Sequence, residues 1–278
     1  MSTRDKSSSN NPEKPRNLFA RINIRLPWLK LVATIFIGIV IILDLLDLTI
    51  SKTDDLSDDF PTTPMSKHLK ATQRDLTNKK LVALTFDDGP SAETTPILLN
   101  VLTEKNAIAT FFTLGVMARS HPDIVKRMNR EGHEIASHTM YHQNLPRIPL
   151  DAAAADIKEA SDVLKSILGR RPTLTRPPYG SFNDAVRDVT KTPLILWSVD
   201  PEDWRYREAN KIIEIAMSQV HDGAIILIHD VYPSSVEAIP RLIDILRENG
   251  YEFVTISELA HFRKTPLVLG GAYYYFKP

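Results

Sequence analysis

Two histidines four residues apart, His138 and His142, stand in the segment Ser137-His138-Thr139-Met140-Tyr141-His142. An adjacent carboxylate pair, Asp87-Asp88, precedes them by about fifty residues, in Thr85-Phe86-Asp87-Asp88-Gly89-Pro90. One carboxylate and two imidazoles make a three-ligand metal site with an open position, the arrangement of a catalytic rather than a structural ion. Zinc suits this donor set, and cobalt or manganese also fit it. The second carboxylate is then free to act as a base on water at the open position. Two carboxylates side by side at the end of an apolar run repel each other, so a cation or an arginine is expected beside them. Taken singly, Asp-Gly-Pro is ordinary turn chemistry, and a histidine pair at this spacing is a weak signal. Together they point to a metal-dependent hydrolase.

Three further segments carry polar groups at the ends of apolar runs. Arg176-Pro177-Pro178-Tyr179-Gly180 offers a guanidinium fork for a carboxylate on a backbone stiffened by two prolines. Asp200-Pro201-Glu202-Asp203-Trp204 reads by itself as an acidic turn with a packed tryptophan, and Leu227-Ile228-His229-Asp230 as a strand closing on a histidine. The other histidines (His68, His121, His133, His221 and His261) have no such setting and are taken as surface or structural residues.

The elements that must position these groups alternate strand and helix. Strands are expected at 81–86, 109–114, 133–137, 194–199, 224–228 and 252–255. Helices are expected at 95–105, 122–131, 150–168, 210–220 and 236–249; Gly132, Gly169 and Gly250 close three of them. Such alternation implies parallel βα units around a sheet or barrel buried on both sides. The polar residues fall just after strand ends, which meet on one face of a barrel, where active sites form.

Bulk properties narrow the class. Hydrophobic residues are 43% and charged residues 24%, a globular rather than a disordered balance. The net charge is zero, which argues against a nucleic-acid partner. There is no cysteine, which excludes a disulfide framework, thiol catalysis and a thiolate zinc site. The charge is uneven: seven Lys/Arg lie in residues 1–30 and six Asp in 44–59.

Between those regions Leu31–Leu43 is an uninterrupted apolar run. Extended to 28–50 it spans a membrane, with Lys30, Asp44 and Asp47 near its ends. No small-residue cleavage site follows it, which favours a signal anchor over a cleaved signal peptide, the alternative. Basic residues before the span and acidic ones after it put the N-terminus in the cytosol and the bulk of the chain outside, single-pass in the cell membrane. The expected order is a cytosolic tail at 1–27, the anchor at 28–50, a linker at 51–77, a catalytic domain at 78–264 and an aromatic tail at 265–278. The tail either packs on the domain, the favoured reading, or stacks on sugars.

In this order the five polar segments resemble those of the polysaccharide deacetylases, the NodB-homology domain of carbohydrate esterase family 4. The resemblance runs from about Lys79 to Leu259. It implies an α/β fold, a distorted (β/α) barrel of about seven strands. It also implies Asp88, His138 and His142 as metal ligands and Asp87 as general base, held by Arg176. His229 is then the general acid, kept charged by Asp203, and the backbone N–H of Tyr179 assists the oxyanion. Pro178 belongs to the substrate-binding turn, Trp204 and Leu227 line the groove and acetyl pocket, and Arg207 supports the network. The implied activity is metal-dependent, most readily zinc-dependent, deacetylation of N-acetylglucosamine in peptidoglycan by a monomer. Alternatives are N-acetylmuramic acid in the same polymer, chitin oligomers, acetylxylan, or a non-catalytic glycan-binding module.

Overall fold

The structure is a computed structural model and describes Leu76 and residues 78–278. These fall within one compact unit, Thr62–Pro278. The expected tail and anchor, and all of the linker but Leu76, lie outside the described residues. Among the described residues no helix is long and apolar enough to cross a membrane.

Five parallel strands form the centre: β1 (Lys80–Asp87), β2 (Thr110–Thr113), β3 (Glu134–Ser137), β5 (Ala224–His229) and β6 (Tyr251–Phe253). β1 pairs with β5 over Val82–Asp87. It also pairs with β2 over Thr85–Asp87 and with β6 over Lys80–Val82. β2 pairs in turn with β3. Beyond β3 the ladder thins to single bridges, Ser137 to Thr175 and Thr175 to Leu194. Leu194 opens the short β4 (Leu194–Ile195), and Val199 bridges back to Ile226 of β5. The pairings thus return to their start.

The helices are α1 (Thr95–Glu104), α2 (Gly115–Ser120), α3 (Pro122–Arg130), α4 (Leu150–Leu168), α5 (Asp184–Thr190), α6 (Asp203–Tyr206), α7 (Ala209–Gln219), α8 (Pro233–Glu248) and α9 (Ile256–Phe262). Of these, α1, α7 and α8 pack on the outer face of the strands, whereas α9 packs with the inner cluster. The strand over 194–199 was expected to be continuous; regular strand pairing is confined to 194–195 and the bridge at Val199, and between them the Leu196 and Ser198 N–H groups donate singly to the Tyr273 and Ile225 carbonyls. Helix α9 was not anticipated, although its Thr255 and Glu258 form a reciprocal capping box.

Strand alternation divides the core in two. Val82, Leu84 and Phe86 join Phe111, Ile135, Ile226 and Ile228 against the helices. Leu81, Ala83, Phe112, Ala136, Ile195 and Ile225 face the other way, with Leu76, Val254 and Leu259. The period of two then carries the inner face forward from Ala83 to Thr85 and Asp87, from Ala136 to His138, and from Ile225 to Leu227 and His229. The same register that buries the core therefore delivers the polar residues to one end of it.

The C-terminal residues complete this inner core. Strand β7 (Ala272–Tyr273) pairs with β4, and Tyr275 bridges Ala224. Phe276 is only 1% exposed and stacks on Tyr273. Its carbonyl oxygen would lie 1.7 Å from a Cβ at Gly223, whose φ is +82°, so only glycine fits there.

Candidate active site

The end of β1, the loop after β3, the turn at 176–180 and the end of β5 open onto one cavity of about 420 Å³. Asp87, Asp88, His138, His142, Tyr179, Trp204, Leu227 and His229 line it. These are eight of the residues anticipated from the sequence.

Asp88 Oδ1 lies 3.5 Å from His138 Nε2 and 3.4 Å from His142 Nε2. That oxygen is buried and has no hydrogen-bond partner, a costly state for a carboxylate unless a cation meets it. His138 Nδ1 is 2.8 Å from the Arg176 carbonyl oxygen. A carbonyl only accepts, so Nδ1 carries the proton and Nε2 turns a lone pair inward. Burial lowers the His138 pKa to about 3 against the opposing pull of Asp88, so the ring is neutral. Donors about 2.1 Å from a tetrahedral ion sit roughly 3.4 Å apart, which matches the spacing from Asp88 to each histidine. The three residues fit a divalent cation.

Asp87 faces this triad from the inner side of β1. Its Oδ1 accepts from Arg176 Nη1 at 2.7 Å, and its Oδ2 lies 3.7 Å from His138 Nε2. Burial raises the Asp87 pKa, and the Arg176 charge opposes that rise. Arg176 is fully buried. Its guanidinium also donates to the carbonyls of Ile195 and Leu196 and to Thr85 Oγ1, and it lies over the Phe112 ring, 4.0 Å from the centroid. Every contact fixes the plane of the fork, so one carboxylate oxygen is held and the other is left for chemistry.

On the far wall His229 Nδ1 is 2.8 Å from Asp203 Oδ1, and Asp203 Oδ2 accepts from the His229 N–H and from Ser235 Oγ. Burial by itself would lower the His229 pKa, but the hydrogen bond and charge of Asp203, helped by Asp87 and Asp88, raise it to about 9. Burial works the other way on Asp203, but its bonds to His229 and Ser235 hold its pKa below the ordinary value. The pair is an imidazolium–carboxylate pair at neutral pH, with Nε2 facing the cavity 4.0 Å from Asp88 Oδ2.

Around this centre stands an aromatic rim. Tyr179 is 64% exposed, has a left-handed backbone (φ 60°) and packs edge-on against His142. Trp204 is half exposed, while Leu227 is buried at the cavity floor. Pro178, expected to touch substrate, is buried and does not line the cavity; it shapes the turn that presents Tyr179. Arg207 does not join the Asp203–His229 pair through its side chain. Its Nε donates to the Trp204 carbonyl, and the guanidinium stacks 3.2 Å from the centroid of Tyr232.

Trp197, Asp200 and Tyr232 also line the cavity and were not anticipated as site residues. Asp200 was visible in its acidic segment, but its side chain accepts the Glu202 N–H and so also shapes the turn. Asp230 is fully buried behind the site, and burial raises its pKa to about 7. It accepts from Thr95 Oγ1 and packs against Gly89, where any Cβ would collide with its carboxylate.

Comparison with known proteins agrees with this geometry. A family profile described as polysaccharide deacetylase matches residues 74–193. The peptidoglycan-N-acetylmuramic acid deacetylase PdaC of Bacillus subtilis is 42% identical over 187 residues, covering 67% of this chain and 40% of the relative. The chain thus spans about two fifths of that protein's length. A peptidoglycan-N-acetylglucosamine deacetylase of Bacillus cereus is 38% identical over 200 residues, covering 66% of this chain and 72% of the relative. Among solved structures, a T48 deacetylase with substrate superposes with a TM-score of 0.69 at 37% identity, covering 72% of this chain and 99% of the other. With the fold, the Asp88–His138–His142 triad and the flanking Asp87–Arg176 and Asp203–His229 pairs already in place, these likenesses show that the chain belongs to the polysaccharide deacetylase family.

Proposed function

We propose that this protein removes the acetyl group from N-acetylglucosamine in peptidoglycan, as a zinc-dependent hydrolase anchored in the cell membrane with its catalytic domain outside. The observation that carries the reading is the opposition of two tuned groups, Asp87 on Arg176 and His229 on Asp203, across the Asp88–His138–His142 triad. A divalent ion on that triad would supply Lewis acidity, polarising the acetamide carbonyl and making water acidic enough to ionise near neutral pH.

The chain's own groups do the rest. Asp87 takes the proton from the attacking water through Oδ2, since Oδ1 is held by Arg176. The backbone N–H of Tyr179 is the donor assigned to the developing oxyanion. An amine leaves poorly unless protonated, so His229 gives its proton from Nε2 to the departing nitrogen as the C–N bond breaks. Acetate and a free amino sugar result. Trp204 and Tyr179 offer flat faces to the sugar, and Leu227 meets the acetyl methyl.

A second reading, N-acetylmuramic acid in the same polymer, is favoured by the likeness to the Bacillus subtilis protein. Amino-sugar analysis of treated, acid-hydrolysed peptidoglycan separates the two, provided free amines are tagged before hydrolysis. Tagged glucosamine supports the first reading; tagged muramic acid alone replaces it with the second. The absence of both overturns the function.

A further inference from the structure

We propose that Asp156, on α4, is a positioning residue that holds the loop carrying His138 and His142 in its metal-binding form. The proposal rests on the reading that Asp88, His138 and His142 hold a divalent ion.

The loop is strained. Thr139 and His142 have left-handed backbones, with φ of 69° and 57°. Neither is glycine, so the Cβ of each is strained against its own backbone. Something must oppose that strain. Two contacts come from the start of α2: Gly115 N–H donates to the Thr139 carbonyl at 2.8 Å, and Val116 N–H to the Met140 carbonyl at 3.2 Å. They restrain the carbonyl side alone. On the amide side, Met140 N–H donates to Asp156 Oδ1 at 2.6 Å.

Asp156 is placed for this loop: besides the Met140 N–H it faces the Thr139 side chain and the Tyr141 N–H. It is 5% exposed, on the buried stripe of α4 with Ala153, Ile157, Ala160 and Leu164. It has no arginine, lysine or histidine within ion-pair distance among the described residues, and its Oδ2 has no hydrogen-bond partner. A carboxylate without a cation is expensive on a buried helix face, and an apolar residue there would pack at lower cost. The residue whose N–H it holds, Met140, is midway in sequence between His138 and His142. Met140 is itself fully buried against Gly115, where an added Cβ would lie 2.4 Å from the methionine sulfur. The loop is therefore bracketed by α2 on one side and α4 on the other, with Asp156 as the side-chain anchor.

The test is zinc affinity of the full chain in detergent, measured by competition with a chromophoric chelator. Groups that orient metal ligands typically contribute 10- to 100-fold in affinity, and Asp156→Ala is expected to weaken zinc by that range. Asp156→Asn keeps an oxygen that can accept the Met140 N–H and is expected to stay within about threefold of the parent. Glu134→Gln serves as the control. Glu134 is another buried carboxylate, at the opposite end of β3, bonded to Thr110 and Ser257; its loss should lower stability and leave zinc affinity unchanged. Unchanged zinc binding in Asp156→Ala overturns the proposal. Equal loss in Asp156→Asn and Asp156→Ala overturns it too, because charge rather than position would then be at work. No zinc binding by the parent would instead overturn the ligand reading on which the proposal rests.

Discussion

Two residues decide whether this site can do acid–base chemistry, and the structure sets their states by different means. Asp87 is buried against a fixed guanidinium, so one oxygen is tied and one is free. His229 owes its charge to Asp203, fully buried and bonded four times, to the His229 ring and N–H, Ser235 and the Trp204 N–H. The sign of the pH dependence follows. A general acid must be protonated, so kcat/KM should fall as pH rises through the His229 pKa, about 9. A cation on Asp88 would weaken that residue's pull on the imidazolium, so the limb of the loaded enzyme should lie at or somewhat below this value. Replacing Asp203 with Asn removes the main stabilising charge, and the alkaline limb should move down toward 6.5, the ordinary histidine value. A pH–rate profile of Asp203→Asn with an unmoved limb would remove His229 from the acid role. The identities of these groups were legible in the sequence because they close apolar strands. The reach of Arg176 to Asp87 was implied by the family resemblance; the residues themselves showed it only as a residue type, since 89 positions separate the two.

At the scale of elements, strand period is what aims the site. Ala83, Thr85 and Asp87 share one face of β1, as Ile225, Leu227 and His229 share one face of β5, and the register sets Asp87 opposite His229. That much follows from hydrophobic alternation, so the principal strands and the long helix Leu150–Leu168 were readable in advance. The short elements were not. Helices α2 and α5 have only 6 and 7 residues, too few for a helical period to stand out, and β7 is a two-residue strand defined by its partner β4. The aromatic tail shows the consequence: its sequence admits sugar stacking or packing, and only the pairing of Tyr273 and the burial of Phe276 distinguish them. Truncating Phe276 to Ala should therefore cost about 3–5 kcal/mol of stability, seen in urea unfolding of the full chain. A cost within experimental error of zero would detach the tail from the core.

The whole molecule joins a hydrolase domain to an N-terminal region whose sequence reads as a membrane anchor. If that reading holds, the protein should stay in the membrane fraction through an alkaline carbonate wash. A soluble protein whose N-terminus begins after residue 43 would show a cleaved signal instead. Tethering would confine the domain to the glycan nearest the membrane. The product would carry free amines, turning neutral acetamides into cations along the wall. The central claim is that the Asp88–His138–His142 triad and Asp87 together make a metal-dependent amidohydrolase. The most direct measurement is acetate release from purified peptidoglycan by the full chain in detergent, stripped of metal and then reloaded with zinc, beside Asp87→Asn treated the same way. Release that vanishes on stripping, returns with zinc, and falls by 10²–10⁴-fold in a zinc-loaded Asp87→Asn protein is the predicted result. Acetate release that is indifferent to metal, or undiminished without the Asp87 carboxylate, would contradict it.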